Sequence, residues 1–329
     1  MSPPAVRPYG SWKSPLTAAR IAVGMRALSE IQVWGDEIFW LETRPAERGR
    51  SVVMRRRPDG RIEDCLPPAF NARSRVHEYG GGAYLVADGL LFFSNFEDQR
   101  LYRLPLDRPE DAAPLTPPGY RYADGVWDAR RSRIICVRED HTGEGEPRNT
   151  LVAVDGEGRG GGEILLDARD FYAAPRLSPD GTRLAWLAWD HPWMPWDAAE
   201  LWTAPLPAEG RVRHPRHVAG GRGTSAALPA FSPDGVLHAV VDPDGWWTLH
   251  RCEGSGPVPL YRRPAEFSPL LWVLGLSQYA FLGPDRLACA YSEGGRWHLG
   301  ILEAEGGRLA RLDLPWTDIG SVRCAGSRI

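Results

Sequence analysis

The chain has 329 residues, of which 43% are hydrophobic and 25% charged, a composition that supports a sizeable core and excludes a disordered tail. Its 39 basic and 42 acidic side chains nearly cancel, so no global field draws it to nucleic acid or to an anionic membrane, and neither is expected as a partner. A chain of this length suits two ordinary domains or one large all-β domain.

From the N-terminus, residues 1–27 read as an extension, rich in proline near its start and without the apolar stretch of a signal peptide. No run approaches the 18 or so uninterrupted apolar residues of a membrane span, the best being interrupted by Ser277 and Gln278. The expected compartment is the cytoplasm. Cys65, Cys136, Cys252, Cys289 and Cys324 are odd in number and far apart, and read as reduced packing residues.

Residues 28–329 carry a repeat. Leu177 to Leu187 and Phe231 to Val241 share Ser-Pro-Asp-Gly between two apolar runs. Proline pre-sets the turn, aspartate bonds back to the backbone and glycine takes the positive φ, so each predicts strand, tight turn, strand. Weaker copies run from Val33, Leu85, Trp127 and Phe281, and a seventh begins at Val322. Second strands are predicted to start near Ile38, Leu91, Ile134, Leu184, Leu237, Leu287 and Ile329, at intervals of roughly 42 to 53 residues, one four-stranded blade per repeat. Third strands follow at Arg100–Leu104, Glu200–Ala204, Trp246–His250 and Arg296–Gly300, with turns at Pro58–Gly60, Gly156–Gly162 and Glu305–Gly307. The expected fold is therefore an all-β, seven-bladed β-propeller of TolB/WD40-like type with the seventh blade incomplete. Sheets stacked this way bury both faces, which predicts that the 14 tryptophans are mainly core. An unfinished blade leaves sheet edges open, so the natural protein is expected to be longer.

Chemistry-bearing motifs are sparse. There is no Gly-x-Ser-x-Gly elbow, phosphate-binding loop or His-Glu-x-x-His helix, and no catalytic residue, metal or cofactor is assigned. The Gly-x-Gly-x-x-Gly match at Gly156–Gly161 falls between two strands of one blade and reads as a hairpin turn. Arg55–Arg57 reads as a solvated outer strand.

Two segments are richer. Arg73 to Tyr84 leads into the first strand of blade two and contains Arg75, His77, Glu78 and Tyr79 before three glycines that permit close backbone approach. His77 and Glu78 read either as a hydrogen-bonded structural pair or as contacts to a substrate or second domain. Trp189 to Asp197 is an insertion between the second and third strands of blade four, where a hairpin needs only a few residues; its Asp190, His191, Trp196 and Asp197 read as a binding loop. Glu139-Asp140-His141, in the matching loop of blade three, reads equally as solvated acids or as a cation site.

These segments, with the strings Tyr9–Pro15, Phe92–Tyr102, Arg121–Gly125 and Val137–Gly143, resemble the N-terminal propeller of bacterial prolyl-oligopeptidase-family serine peptidases, the acylaminoacyl peptidase and dipeptidyl aminopeptidase branch above all. The likeness spans nearly the whole chain, although Ser-Pro-Asp-Gly alone is shared with TolB-like propellers. The resemblance implies a non-catalytic, substrate-gating domain of a serine-type exopeptidase or oligopeptidase acting on short peptides. Its partner would be a C-terminal α/β-hydrolase domain, absent here, that carries the catalytic triad. It also implies that the face toward that domain bears Arg75, His77, Glu78, Tyr79, Glu139, Asp140, Asp190, His191, Trp196 and Asp197. Glu78 is the first choice for a peptide's α-amino group and Arg75 for a carbonyl or another terminus. The alternative is a stand-alone TolB-like propeller that binds a protein or peptide and catalyses nothing; a channel hydrolase with its own acid pair is a third.

Overall fold

The two Ser-Pro-Asp-Gly segments are hairpin turns held by their own side chains. Ser178 Oγ donates to Asp180 Oδ1 at 2.6 Å and accepts from the Arg183 N–H at 3.0 Å. The same bonds recur at Ser232, to Asp234 and from the Val236 N–H. Gly181 and Gly235 both take positive φ, 64° and 86°. The Ser178 and Thr182 hydroxyls hold the Asp180 carboxyl at about 2.

Such turns build six four-stranded antiparallel sheets in a computed structural model that describes residues 6–22, 25–158, 160–254, 256–326 and 328–329. Residues 1–5 and 23–24 of the expected extension, Arg159 of the glycine-rich turn and Ser327 of the expected seventh repeat lie outside the described residues. A short helix, α1 (Ala18–Ala22), precedes the first sheet, β1 (Ala27–Trp34), β2 (Glu37–Arg44), β3 (Arg50–Arg56) and β4 (Ile62–Asp64). Sheet two is β5 (Tyr84–Ala87), β6 (Leu90–Ser94), β7 (Leu101–Pro105) and β8 (Ala113–Pro114). Sheet three is β9 (Tyr120–Asp128), β10 (Arg133–Asp140), β11 (Arg148–Asp155) and β12 (Glu163–Leu166). Sheet four is β13 (Phe171–Leu177), β14 (Arg183–Trp189), β15 (Glu200–Pro205) and β16 (Arg216–Gly220), with the one-turn helix α2 (Pro195–Ala198) before β15. Sheet five is β17 (Ala226–Phe231), β18 (Leu237–Val241), β19 (Thr248–Glu253) and β20 (Gly256–Pro259). Sheet six is β21 (Tyr279–Gly283), β22 (Arg286–Glu293), β23 (Arg296–Glu303) and β24 (Arg308–Arg311). Each sheet pairs in sequence order, as a propeller blade does.

The expected seven blades are not found; the ring has six. The segment from Val322 forms no sheet among the described residues. Its Val322 N–H donates to the Ser277 carbonyl at 2.8 Å, and Ala325 and Arg328 bridge each other in a tight turn. A blade needs a partner strand, and the chain reaches Ile329 before one can pair.

The tryptophan expectation is also corrected. Only Trp186, Trp189 and Trp247 are buried. The fully buried core between blades is mostly Leu, Ile, Val, Ala, Phe and Tyr, such as Phe39, Phe93, Tyr122, Ile135, Leu184 and Phe267, with Trp40, Trp127, Trp196, Trp202 and Trp297 packed against it part-buried. Arg55 is not solvated either: it is 8% exposed and holds Glu37 with bonds of 2.6 and 2.7 Å from one nitrogen. All five cysteines are free, and burial pushes Cys65, Cys136, Cys252 and Cys289 up to about 12. No described helix is long and apolar enough to cross a membrane.

The innermost strands share a device that positions everything on the axis. β1, β9, β13 and β17 each break register with their neighbours. Within those breaks Glu30, Asp124, Ala174 and Leu228 sit in the left-handed region, at φ of 53°, 53°, 50° and 50°. A bulge of this kind turns a side chain or a peptide out of the ladder and towards the next blade. Glu30 Oε2 accepts the Ala83 N–H at 2.9 Å, and Asp124 Oδ2 accepts the Ala174 N–H at 2.8 Å. The Tyr279 hydroxyl donates to the Leu228 carbonyl at 2.7 Å.

Candidate functional site

The run Gly80-Gly81-Gly82 has positive φ throughout and crosses to the lead-in of blade six, where Gly81 bridges Leu274. The Leu274 N–H donates to the Gly80 carbonyl, and the Asp124 N–H to the Gly82 carbonyl, both at 2.8 Å. A β-carbon on Gly81 would lie 2.3 Å from the Leu274 carbonyl oxygen, and one on Gly82 would lie 2.7 Å from the Asp124 backbone. The close approach anticipated for these glycines is thus a contact of blade two with blades three and six.

Above this crossing opens a cavity of about 690 Å³. Its walls are the lead-ins to first strands at residues 77–80, 167–171 and 271–276 and the second-to-third-strand connections at residues 139–149 and 189–196. Those are the two loop families that carry the residues expected on the face toward a second domain.

One wall is aromatic. Phe171 and Trp189 stack at 5.3 Å, and His77 meets both rings edge-on at 5.3 and 5.5 Å. His191 lies edge-on to Phe171 at 4.8 Å. Trp272 packs on Trp196 at 4.4 Å and on Tyr79 at 5.4 Å, so this second group spans blades two, four and six. Trp272 and Tyr79 remain 48% and 62% exposed, an apolar surface of the kind that binding sites leave uncovered.

The lining is also ionic. Glu78 bonds Arg121 at 2.6 Å and Arg75 at 3.0 Å, and those arginines hold its carboxyl below the usual range, Arg121 most strongly. Glu139, 3% exposed, accepts the His77 N–H at 2.7 Å, contacts His141 Nε2 at 3.0 Å and lies 3.6 Å from Arg121. His77 and Glu78 are both left-handed, at φ of 54° and 62°, a strain that the surrounding bonds hold in place. Burial pushes the His77 imidazole down, with Glu139 and Asn149 opposing, so the ring is neutral at physiological pH. Arg169 bridges Asp190 and Glu200, each at 2.7 Å. Arg176 bonds Asp124 at 3.1 Å on the floor.

His77, Glu78, Tyr79, Glu139, His191 and Trp196 therefore line the cavity. Arg75 reaches it only through Glu78. Asp140 turns to Thr142, Asp190 to Arg169 and Asp197 to the Met194 N–H, and none of the three lines the cavity. No group of three His, Cys, Asp or Glu side chains among the described residues is placed to hold a metal ion. Asp124, Arg169, Phe171, Arg176 and Trp272 were not anticipated. In the sequence Trp272 is the one aromatic of the aliphatic run that follows Pro269, and no local motif marks any of the five.

Fold and site together define a six-bladed β-propeller with a charged and aromatic cavity at one mouth of its axis. No protein-family model matches the chain, and no curated protein matches it. Among solved structures it is similar to a puromycin hydrolase, with a TM-score of 0.87 and 39% identity over 95% of this chain and 51% of that one. A serine-to-alanine variant of puromycin hydrolase complexed with PGG matches with a TM-score of 0.87 and 40% identity, covering 95% of this chain and 50% of that one. A puromycin-hydrolyzing peptidase of Mycobacterium tuberculosis matches at 0.85 and 39%, over 95% and 50%. The chain thus spans about half the length of these three structures.

Proposed function

We propose that this chain is the substrate-gating propeller of a serine peptidase that acts on short peptides, the reaction being carried by a hydrolase domain it does not contain. The carrying observation is 39% identity to a puromycin hydrolase over 95% of this chain at a TM-score of 0.87. The cavity supports the reading, since about 690 Å³ suits a short peptide and excludes a folded protein. Its aromatic wall suits an apolar side chain and its ionic lining a peptide terminus.

In this reading Glu78 receives the peptide's α-ammonium, and Arg75, which does not line the cavity, acts by holding the Glu78 carboxylate in place. A carboxylate offers about four lone-pair sites, so the two arginines on Glu78 leave room for an ammonium. The test extends the reading frame downstream of Ile329 and assays aminoacyl and N-acyl-aminoacyl p-nitroanilides, with a fluorophosphonate probe for the serine. A labelled serine and hydrolysis of short substrates are expected; an extended protein with neither overturns the reading in favour of a stand-alone binding propeller. In the intact enzyme Glu78→Gln raises KM for free-amine substrates by about 10-fold or more, the scale of one charge-assisted hydrogen bond, and leaves N-acylated ones unchanged.

A further inference from the structure

Beneath the glycine crossing lies a second cavity, of about 400 Å³, on the propeller axis. Asp124, Arg176, Leu228, Gly275 and Leu276 border both cavities. The lower one is walled by Glu30, Gln32, Tyr84, Gln278, Tyr279 and Arg323 among others. Two cations face it. Arg176 is paired with Asp124, whose second oxygen is taken by the Ala174 N–H. Among the described residues Arg323 bonds only the neighbouring Val322 carbonyl, at 3.1 Å, and makes no salt bridge. Gln278, 6% exposed, has a buried Oε1 with no hydrogen-bond partner. A guanidinium presents five N–H donors, so most of those on Arg323 are unspent in a setting where burial and Arg176 push its pKa down to about 10.

We propose that this axial cavity binds a small carboxylate-type anion between the Arg323 and Arg176 guanidiniums, with the Gln278 amide, turned to present its nitrogen, as a further donor. A planar oxyanion matches the guanidinium fork and satisfies donors that the protein leaves open. Amide oxygen and nitrogen exchange places at little cost when a ligand decides between them.

The acids in the same space set a pH dependence. Burial, with Asp124 adding, raises Glu30 to about 7 against its bonds from Ala83 and Gly82. Of the other groups facing the cavity, Asp124 is ion-paired with Arg176, and burial pushes Tyr84 and Tyr279 well above 10 and raises the Cys324 thiol. Ionised Glu30 repels an anion, so affinity falls as pH rises through about 7.

Two sources share this chemistry, a free carboxylate and the C-terminus of a short peptide reaching down past Gly275. Isothermal titration of the 329-residue chain with sodium formate, triglycine and triglycine amide, each at constant ionic strength in chloride, separates them. Formate alone binding assigns a free-anion site, and triglycine binding without its amide assigns a peptide terminus. Either supports the proposal. Arg323→Gln weakens binding about ten-fold or more and Arg323→Lys restores part of it. Glu30→Gln removes the difference between pH 6 and pH 8. The proposal is overturned if neither acid binds, if triglycine and its amide bind alike without formate binding, or if binding survives in a folded Arg323→Gln chain checked by circular dichroism. Peptidase activity does not enter these readouts, so the proposal stands or falls apart from the proposed function.

Discussion

Glu30 shows how one residue serves geometry at the expense of electrostatics. Its left-handed backbone turns the carboxylate towards blade two, where it accepts the Ala83 N–H. That place is surrounded by protein and close to Asp124, which is why its pKa rises from 4.5 to about 7. Between those two values the folded state holds a proton that the unfolded chain has released, so stability falls as pH rises through the window. Glu30→Gln keeps an acceptor for Ala83 and removes the charge. It is expected to unfold at higher urea than the parent at pH 8, by up to about 3 kcal/mol, with the gain shrinking towards pH 4.5. An equal gain at both pH values would show that ionisation is not the cause. Gly82 is the opposite case, where no side chain fits. Gly82→Ala meets the Asp124 backbone at 2.7 Å with φ at 58°, and should cost on the order of 3 kcal/mol in urea melts. Gly295→Ala, where a β-carbon meets open space at a similar φ of 79°, should cost about 1 kcal/mol.

At the scale of the element, hairpins were legible and bulges were not. Ser-Pro-Asp-Gly predicts its own turn because every bond that defines it is local, as Ser178 and Asp180 show. The left-handed residues at Glu30, Asp124, Ala174 and Leu228 answer to a neighbouring blade about fifty residues away, and three of the four are types that rarely adopt that region. The site divides likewise. His77 and Glu78 stood out beside a glycine run, whereas Arg169, in the lead-in to β13, and Arg176, within β13, are single cations whose partners, Glu200 and Asp124, lie on other strands. Asp128, at the end of β9, is another such junction. It is 1% exposed and binds Arg131 and Arg133, which continue to the carbonyls of Leu206, Pro207 and Gly210 beside blade four. Asp128→Ala leaves two buried guanidiniums without their anion and should lower stability by about 3–5 kcal/mol in chemical denaturation. A loss below 1 kcal/mol would mean that the carbonyls alone hold both arginines.

For the whole molecule, closure of the ring decides where it opens first. Neighbouring blades are joined along the axis by buried bonds: Asp124 N–H to Gly82, Ala174 N–H to Asp124, Ala226 N–H to Ala199 and Tyr279 hydroxyl to Leu228. Blade six reaches blade one by way of the C-terminal segment. Val322 bonds Ser277 on one side, and on the other Arg328 lies 3.9 Å from Asp36 with both side chains exposed to solvent. An exposed pair at that distance contributes almost nothing to closure. β1 accordingly shows its edge, with Ala27, Leu28 and Ser29 all exposed and Leu28 at 66%, whereas Tyr172 and Ala173, at the places of Leu28 and Ser29 in β13, are buried. Local opening follows the density of buried contacts. Amide exchange followed by mass spectrometry should therefore find peptides of β1 exchanging orders of magnitude faster than those of β13, with sheets three and four the last to exchange. Deleting residues 321–329 should speed exchange in β21, which loses the Val322 bond to Ser277 beside it, and leave β13 unchanged. Uniform protection across the inner strands would instead require a closure between blades six and one as strong as the five other junctions.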